Sequence, residues 1–147
     1  MKVYATWYDV WRDRQNITYT NLVEILKAAG HELTLDWDDD SIMDLSDTDR
    51  AVKRLGAIRD ADLTIVVPDL RNNYDAGIAV QAGRHVLHLV ADSGITHTTP
   101  PWIVKLPHVH HIDVIIDENN PRDRQVKRLL AKLTEIATAV TQTAPAA

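Results

Sequence analysis

The sequence predicts an α/β fold, a three-layer α/β/α sandwich around a five-stranded parallel sheet of order 2-1-3-4-5. Three observations carry this expectation. Leu63 to Val67 is a short, β-branched, nearly all-apolar run, which suits a strand covered on both faces. The surrounding stretch 61–89, ADLTIVVPDLRNNYDAGIAVQAGRHVLHL, reads as strand, loop, helix and strand. That is a βαβ unit, whose crossover is right-handed in nearly all known cases. Strand-like and helix-like segments then alternate along the whole chain, the pattern of doubly wound, flavodoxin-like folds.

Taken in order, Lys2 to Thr6 reads as the first strand, and Trp7 to Asn16 as a polar and aromatic loop at its carboxyl end. Ile17 to Ala29 places Leu22, Ile25, Leu26 and Ala29 at helical spacing, and Gly30 suits the position just past the helix end. His31 to Asp36 alternates Leu33 and Leu35 with polar residues, as an edge strand does. Asp36 to Ser46 is acidic and reads as irregular loop. Asp47 to Arg59 fits a second helix, capped by Ser46 or Asp47, with acids early and Lys53, Arg54 and Arg59 late, as the helix dipole favours.

Pro68 ends the central strand, Asp69 to Asn73 form a loop, and Tyr74 to Ala82 form a short helix before Gly83. Val86 to Val90 is the fourth strand. Ala91 to His108 reads as a long loop with one helical turn at most, and His110 to Ile116 as the fifth strand. Pro121 suits the first position of a last helix that runs from Arg122 to Val140, with Val126, Leu129, Leu130, Leu133, Ile136 and Ala137 on one face. One domain over residues 1–142 is expected, followed by a frayed tail at 143–147.

Composition narrows the function classes. A 147-residue chain can bury roughly 68–70% of its unfolded surface, so no staples are required. It holds no cysteine, which removes disulfides and thiolate metal sites. No apolar run approaches the roughly 18 residues of a membrane span, and MKVYATWYDV is too short and polar for a signal peptide, so cytoplasmic residence is expected. Net charge is −5, which gives no basic footprint for duplex nucleic acid but leaves room for a single nucleotide in a local pocket. Three of the four Trp and three of the four Tyr fall before residue 38, an unusual clustering.

Several signatures are missing. There is no GxxxxGK[ST], no GxGxxG and no GxSxG. His108 to His111 (HVHH) enters a strand, where alternate residues face opposite sides, and no acid stands at regular spacing beside it. The run WDDDSIMDLSDTD lacks the central glycine and final Glu of a calcium loop and reads as a solvated acidic segment. No metal is expected.

The loop after the third strand is the place where chemistry is concentrated. Ligands of open α/β sheets bind at the carboxyl edge of the strands, and Asp69, Asn72, Asn73, Tyr74 and Asp75 lie there. Asp75 reads equally well as a first-turn helix acid favoured by the dipole. Tyr4, on the neighbouring first strand, has a hydroxyl suited to orienting a carboxylate, and reads equally well as a buried structural residue.

The segment YDAGIAVQAGRHVLHL resembles the Tyr-Glu-x-Gly-x-Ala…Gly-Lys-Pro-Val/Ile motif of the nucleoside 2-deoxyribosyltransferase family, which includes the 2′-deoxynucleoside 5′-phosphate N-hydrolases. Tyr74, Gly77, Ala79, Gly83 and Val86 keep register together, and KVYAT is similar to the family's first strand with its Tyr. The likeness spans residues 2 to 95; beyond that only element order matches. It implies cleavage or transfer at an N-glycosidic bond, with Asp75 attacking C1′ of the sugar, Tyr4 holding that carboxylate, and Asp69 meeting the base or protonating it as it leaves. Asn72 and Asn73 become candidates for sugar hydroxyls, Trp7, Tyr8 and Trp11 for stacking on the base, and Arg12, Arg14, Ser93 and Gly94 for a 5′-phosphate. No cofactor is implied. The partners implied are a small nucleoside or nucleotide and a second copy of the chain, in a homodimer or higher homo-oligomer with 92–109 as a contact.

Two departures stand out. The family nucleophile is glutamate, and Asp75 is one methylene shorter, where a displacement on the order of 1 Å can cost about 100-fold in rate. Either the pocket closes in to compensate, or the chemistry is altered or lost. The first loop is bulky where the family has small glycine-rich turns. Hydrolysis and transfer, ribose and deoxyribose, all stay open. A non-catalytic nucleotide-binding or signalling module is the alternative from another class. A TIR-like NAD glycohydrolase is a further one, though the usual Ser and Glu placements of that group are not evident.

Overall fold

In the computed structural model, residues 1–7, 17–67, 72–90, 105–114, 116 and 118–143 are described, with main chain only for 72, 73 and 90. The elements are β1 (Lys2–Ala5), α1 (Tyr19–Ala28), β2 (Glu32–Leu33), α2 (Asp40–Met43), α3 (Asp47–Asp60), β3 (Leu63–Val66), α4 (Asn72–Gln81), β4 (His85–Val90), β5 (Val109–Asp113) and α5 (Arg122–Thr143). The strands form one five-stranded parallel sheet in the order β2-β1-β3-β4-β5, the expected topology.

The two-residue alternation of each strand feeds two cores. Val3, Ala5, Leu63, Ile65, Leu87, Leu89 and Ile112 face α1 and α5, meeting Leu22, Leu26, Leu129, Leu133 and Ile136. Tyr4, Val66 and Val86 face the other way, toward Ile42 of α2, Ala57 and Ile58 of α3, and Ala76 and Ala79 of α4. All four residues of β3 are buried, as a central parallel strand requires.

The helix ends follow their local chemistry. Thr18 and Ser46 accept from the amides of Asn21 and Asp49, capping α1 and α3. After α1 and α4, Gly30 and Gly83 take φ of 82° and 70°, and each bonds back to the last helical turn. These are Schellman endings, in which glycine carries no Cβ penalty.

Some boundaries differ from expectation. The edge strand is two residues rather than six: only Glu32 and Leu33 pair with β1, opposite Lys2 and Val3. The acidic segment holds a short helix, α2, because Asp39 accepts from the Ser41 amide and caps it. The α4 helix starts at Asn72, so both asparagines expected in the loop belong to its first turn. The last helix runs to Thr143 rather than Val140, so the first residue of the expected tail is helical and the others lie outside the described residues. Thr134, Thr138, Thr141 and Thr143 turn their hydroxyls onto the carbonyl four residues back, so these polar residues stay within the helix.

At the amino-terminal ends of β4 and β5, His85 Nδ1 and His110 Nε2 lie 3.1 Å apart in stacked rings, with His108 edge-on to His85. Burial lowers the pKa of both His85 and His110, and neighbouring imidazoles lower each further. Among the described residues no group of three or more His, Asp or Glu has the geometry to hold a metal. A histidine whose folded pKa is depressed stabilises the fold above its unfolded pKa of about 6.5, and that stability is lost as pH falls through the window below it. The melting temperature is therefore expected to drop between pH 7.5 and pH 5.5, and His110→Gln to flatten that dependence. Thermal melts across this range check it; an equally steep profile in the variant would remove the pair as the cause.

Candidate active site

The sheet order reverses direction between β1 and β3, the switch point at which open α/β folds bind ligands. Two residues converge there. Tyr4 of β1 is fully buried on the α3–α4 side of the sheet. Asp75 lies in the first turn of α4, where the helix dipole favours an anion, and is only 2% exposed. The Tyr4 hydroxyl donates to Asp75 Oδ2 at 3.3 Å.

The third member comes from α3. Arg54 donates from Nε to Asp75 Oδ1 at 2.9 Å and to Oδ2 at 3.2 Å, and from Nη2 to Oδ2 at 2.6 Å. This is a bidentate side-on pair, the strong form of the arginine–carboxylate contact. Arg54 keeps 37% of its side chain exposed, against 2% for Asp75, so of the two partners it is Arg54 that reaches solvent. Burial first, and the charge of Asp75 second, push the Tyr4 phenol well above its ordinary pKa, so it stays a donor through the neutral range. For Arg54 burial works against the cation, but the hydrogen bonds it donates to Asp75, with the neighbouring Tyr4 phenol and the charge of Asp75, outweigh that, and the pKa lies above its ordinary value.

In the sequence Arg54 reads only as a helix-dipole partner. A signal was present: Arg54, Ala57, Ile58 and Ala61 fall at i, i+3, i+4 and i+7, and the last three are buried. A lone arginine heading an apolar stripe must have a buried partner or an opening to water, and here it has both.

The other expected site residues divide as follows. Trp7, just past β1, is 48% exposed, and Tyr74, beside Asp75, is 78% exposed. Asn72 and Asn73 occupy the first turn of α4 by their main chain. Tyr8, Trp11, Arg12, Arg14, Asp69, Ser93 and Gly94 lie outside the described residues, as does most of the 92–109 segment. Among the described residues, no helix is long and apolar enough to cross a membrane.

No protein-family profile matches the chain, and no curated protein does. A solved structure does match: a Clostridium botulinum CMP N-glycosidase, BcmB, with a TM-score of 0.60 over 92% of this chain and 98% of that one. Sequence identity is 18%. The five-stranded sandwich is thus a shared fold.

Proposed function

We propose that this protein cleaves the N-glycosidic bond of a nucleoside or nucleoside 5′-monophosphate with Asp75 as nucleophile. The observation that carries the reading is a buried carboxylate at the switch point, held by a phenol and a guanidinium. That the similar structure is a CMP N-glycosidase supports it.

In the first step a carboxylate oxygen of Asp75 bonds to C1′ as the C1′–N bond breaks. The electron pair leaves with the base, which takes a proton from Asp69 or water. Attack by water on C1′ then releases the sugar and restores the carboxylate; attack by a second base gives transfer instead. Such reactions pass through an oxocarbenium-like state, which draws more on a fixed negative charge than on basicity. Tyr4 and Arg54 hold that charge in place. Asn72 and Asn73 bind sugar hydroxyls, Trp7, Tyr8 and Trp11 stack on the base, and Arg12, Arg14, Ser93 and Gly94 receive the 5′-phosphate. A second copy of the chain closes the site through the 92–109 segment.

The test is a panel of nucleosides, nucleoside monophosphates and NAD, with free base read by chromatography. Base release from nucleosides or monophosphates supports the proposal; release of nicotinamide alone points to a TIR-like activity. The grip of Arg54 on both oxygens of Asp75 favours one rival reading, a nucleotide-binding module without turnover, which predicts tight binding and no release.

Tyr4→Phe is the sharper probe within the site. The ring keeps its slot in the core, and the lost hydrogen bond is expected to cost about 1 kcal/mol of stability. kcat is expected to fall roughly tenfold, with KM little changed, because the phenol acts on the carboxylate and not on bound substrate. Steady-state kinetics beside a thermal melt separate the two effects; an unchanged kcat would leave Tyr4 with a packing role alone.

A further inference from the structure

We infer that Arg54 selects the sugar, favouring ribose over 2′-deoxyribose by donating from its outer edge to the 2′-hydroxyl. This rests on Asp75 being the nucleophile. A guanidinium has five N–H donors in a rigid fork. In Arg54 the side edge, Nε with one hydrogen of Nη2, is taken by Asp75. Among the described residues the hydrogen bonds of Arg54 to Asp75 all leave from Nε and Nη2, so Nη1 on the end edge is not spent on the carboxylate, and over a third of the side chain is exposed. The fork therefore keeps donors beside the carboxylate that Asp75 does not take.

Stereochemistry says what would meet them. In a β-nucleoside the base lies on one face of the furanose, and the 2′-hydroxyl of ribose lies on the other. Displacement in line with the departing base brings Asp75 to C1′ from the hydroxyl face. A group clasped side-on to that carboxylate lies on the same face, beside C2′. A hydroxyl there can accept from the Arg54 fork and donate to Asp75 at once, since it carries one donor and two acceptor sites. A 2′-deoxy sugar offers neither, and leaves the fork without a partner once substrate excludes water. Sites that hydrogen-bond a substrate hydroxyl reject the analogue lacking it by large factors when the site is fully buried. Arg54 is partly exposed, so discrimination of about ten- to a hundredfold is expected.

The experiment compares matched pairs, CMP with dCMP, UMP with dUMP, AMP with dAMP and GMP with dGMP. It measures kcat/KM by base release and Kd by calorimetry, for the native chain, Arg54→Lys and Arg54→Gln. Lysine keeps the charge and loses the fork; it also serves if the glutamine variant does not fold. The expected result is a ribose preference of about tenfold or more in the native chain that shrinks toward unity in whichever variants melt cooperatively. A native preference for the deoxy member, equal values within each pair, or a ratio unchanged in a folded variant overturns the inference. If no base is released from any nucleotide, the glycosidase reading falls, and the Kd ratios alone then decide the role of Arg54: a ribose preference lost in the variants upholds its reading of the 2′-hydroxyl, and equal affinities or no binding reject it.

Discussion

Asp75→Asn is expected to lower kcat by on the order of 1000-fold or more, with nucleotide affinity retained within about tenfold. The amide has the shape of the carboxylate but neither the charge nor the free oxygen pair that forms the bond to C1′. It also turns an N–H₂ toward a guanidinium that needs acceptors at 2.6 and 2.9 Å. Some loss of stability will accompany the loss of rate, so the assay is made below the melting point of the variant. Base release at the native rate would remove Asp75 from the chemistry. Asp75→Glu asks a further question. The carboxylate sits 2% exposed, with hydrogen bonds of 2.6 to 3.3 Å closing on it from two elements. One more methylene pushes it out of that grip, and a displacement on the order of 1 Å is expected to cost about 100-fold. A gain on Asp75→Glu would show instead that the shorter acid is a defect and that Arg54 is filling the gap it left.

Much of this arrangement was legible in the residues, and the reasons differ from one element to the next. The apolar, β-branched run from Leu63 to Val67 reads as a strand covered on both faces, and the four residues of β3 are all buried. Once β1 lies beside it, Tyr4 and Asp75 come to the same edge of the sheet, since Tyr4 pairs with Thr64 and Asp75 lies in the first turn of the helix that follows that strand. The shortness of β2 was not legible, because the alternation of Leu33 and Leu35 continues past Leu33, where the pairing with β1 ends. Nor was α2, whose four residues depend on one Asp39 cap rather than on periodicity. Arg54 was hidden for a deeper reason. Its partner lies on another element, and helix-dipole logic already gave it a sufficient role. Only the packing of α3 against α4 turns a basic residue near the middle of one helix toward an acid at the start of the next.

Arg54→Ala is expected to destabilise the fold by about 2–3 kcal/mol, a loss of roughly 6–9 °C in melting temperature for a domain of this size. Removing one partner of a fully buried pair costs about 3–5 kcal/mol, because the remaining charge is stranded. Here the stranded group, Asp75, is buried, but the site Arg54 vacates is open to water at 37% of its side chain, and that water recovers part of the cost. The order of effects in a double-mutant cycle follows. Asp75→Asn alone leaves a partly exposed cation, a smaller penalty than a buried anion, so it is expected to destabilise less than Arg54→Ala. Adding Arg54→Ala to Asp75→Asn is expected to cost under about 1 kcal/mol, since no anion is left to strand. Denaturant midpoints for the four proteins measure this coupling. Additive losses would mean that the pair is held apart by water in solution and that the grip on Asp75 comes from Tyr4 and the α4 terminus instead. The same cycle run on kcat tells positioning from packing. If the pair acts as a unit, Arg54→Ala lowers kcat in the native background and has no further effect once Asp75 is gone.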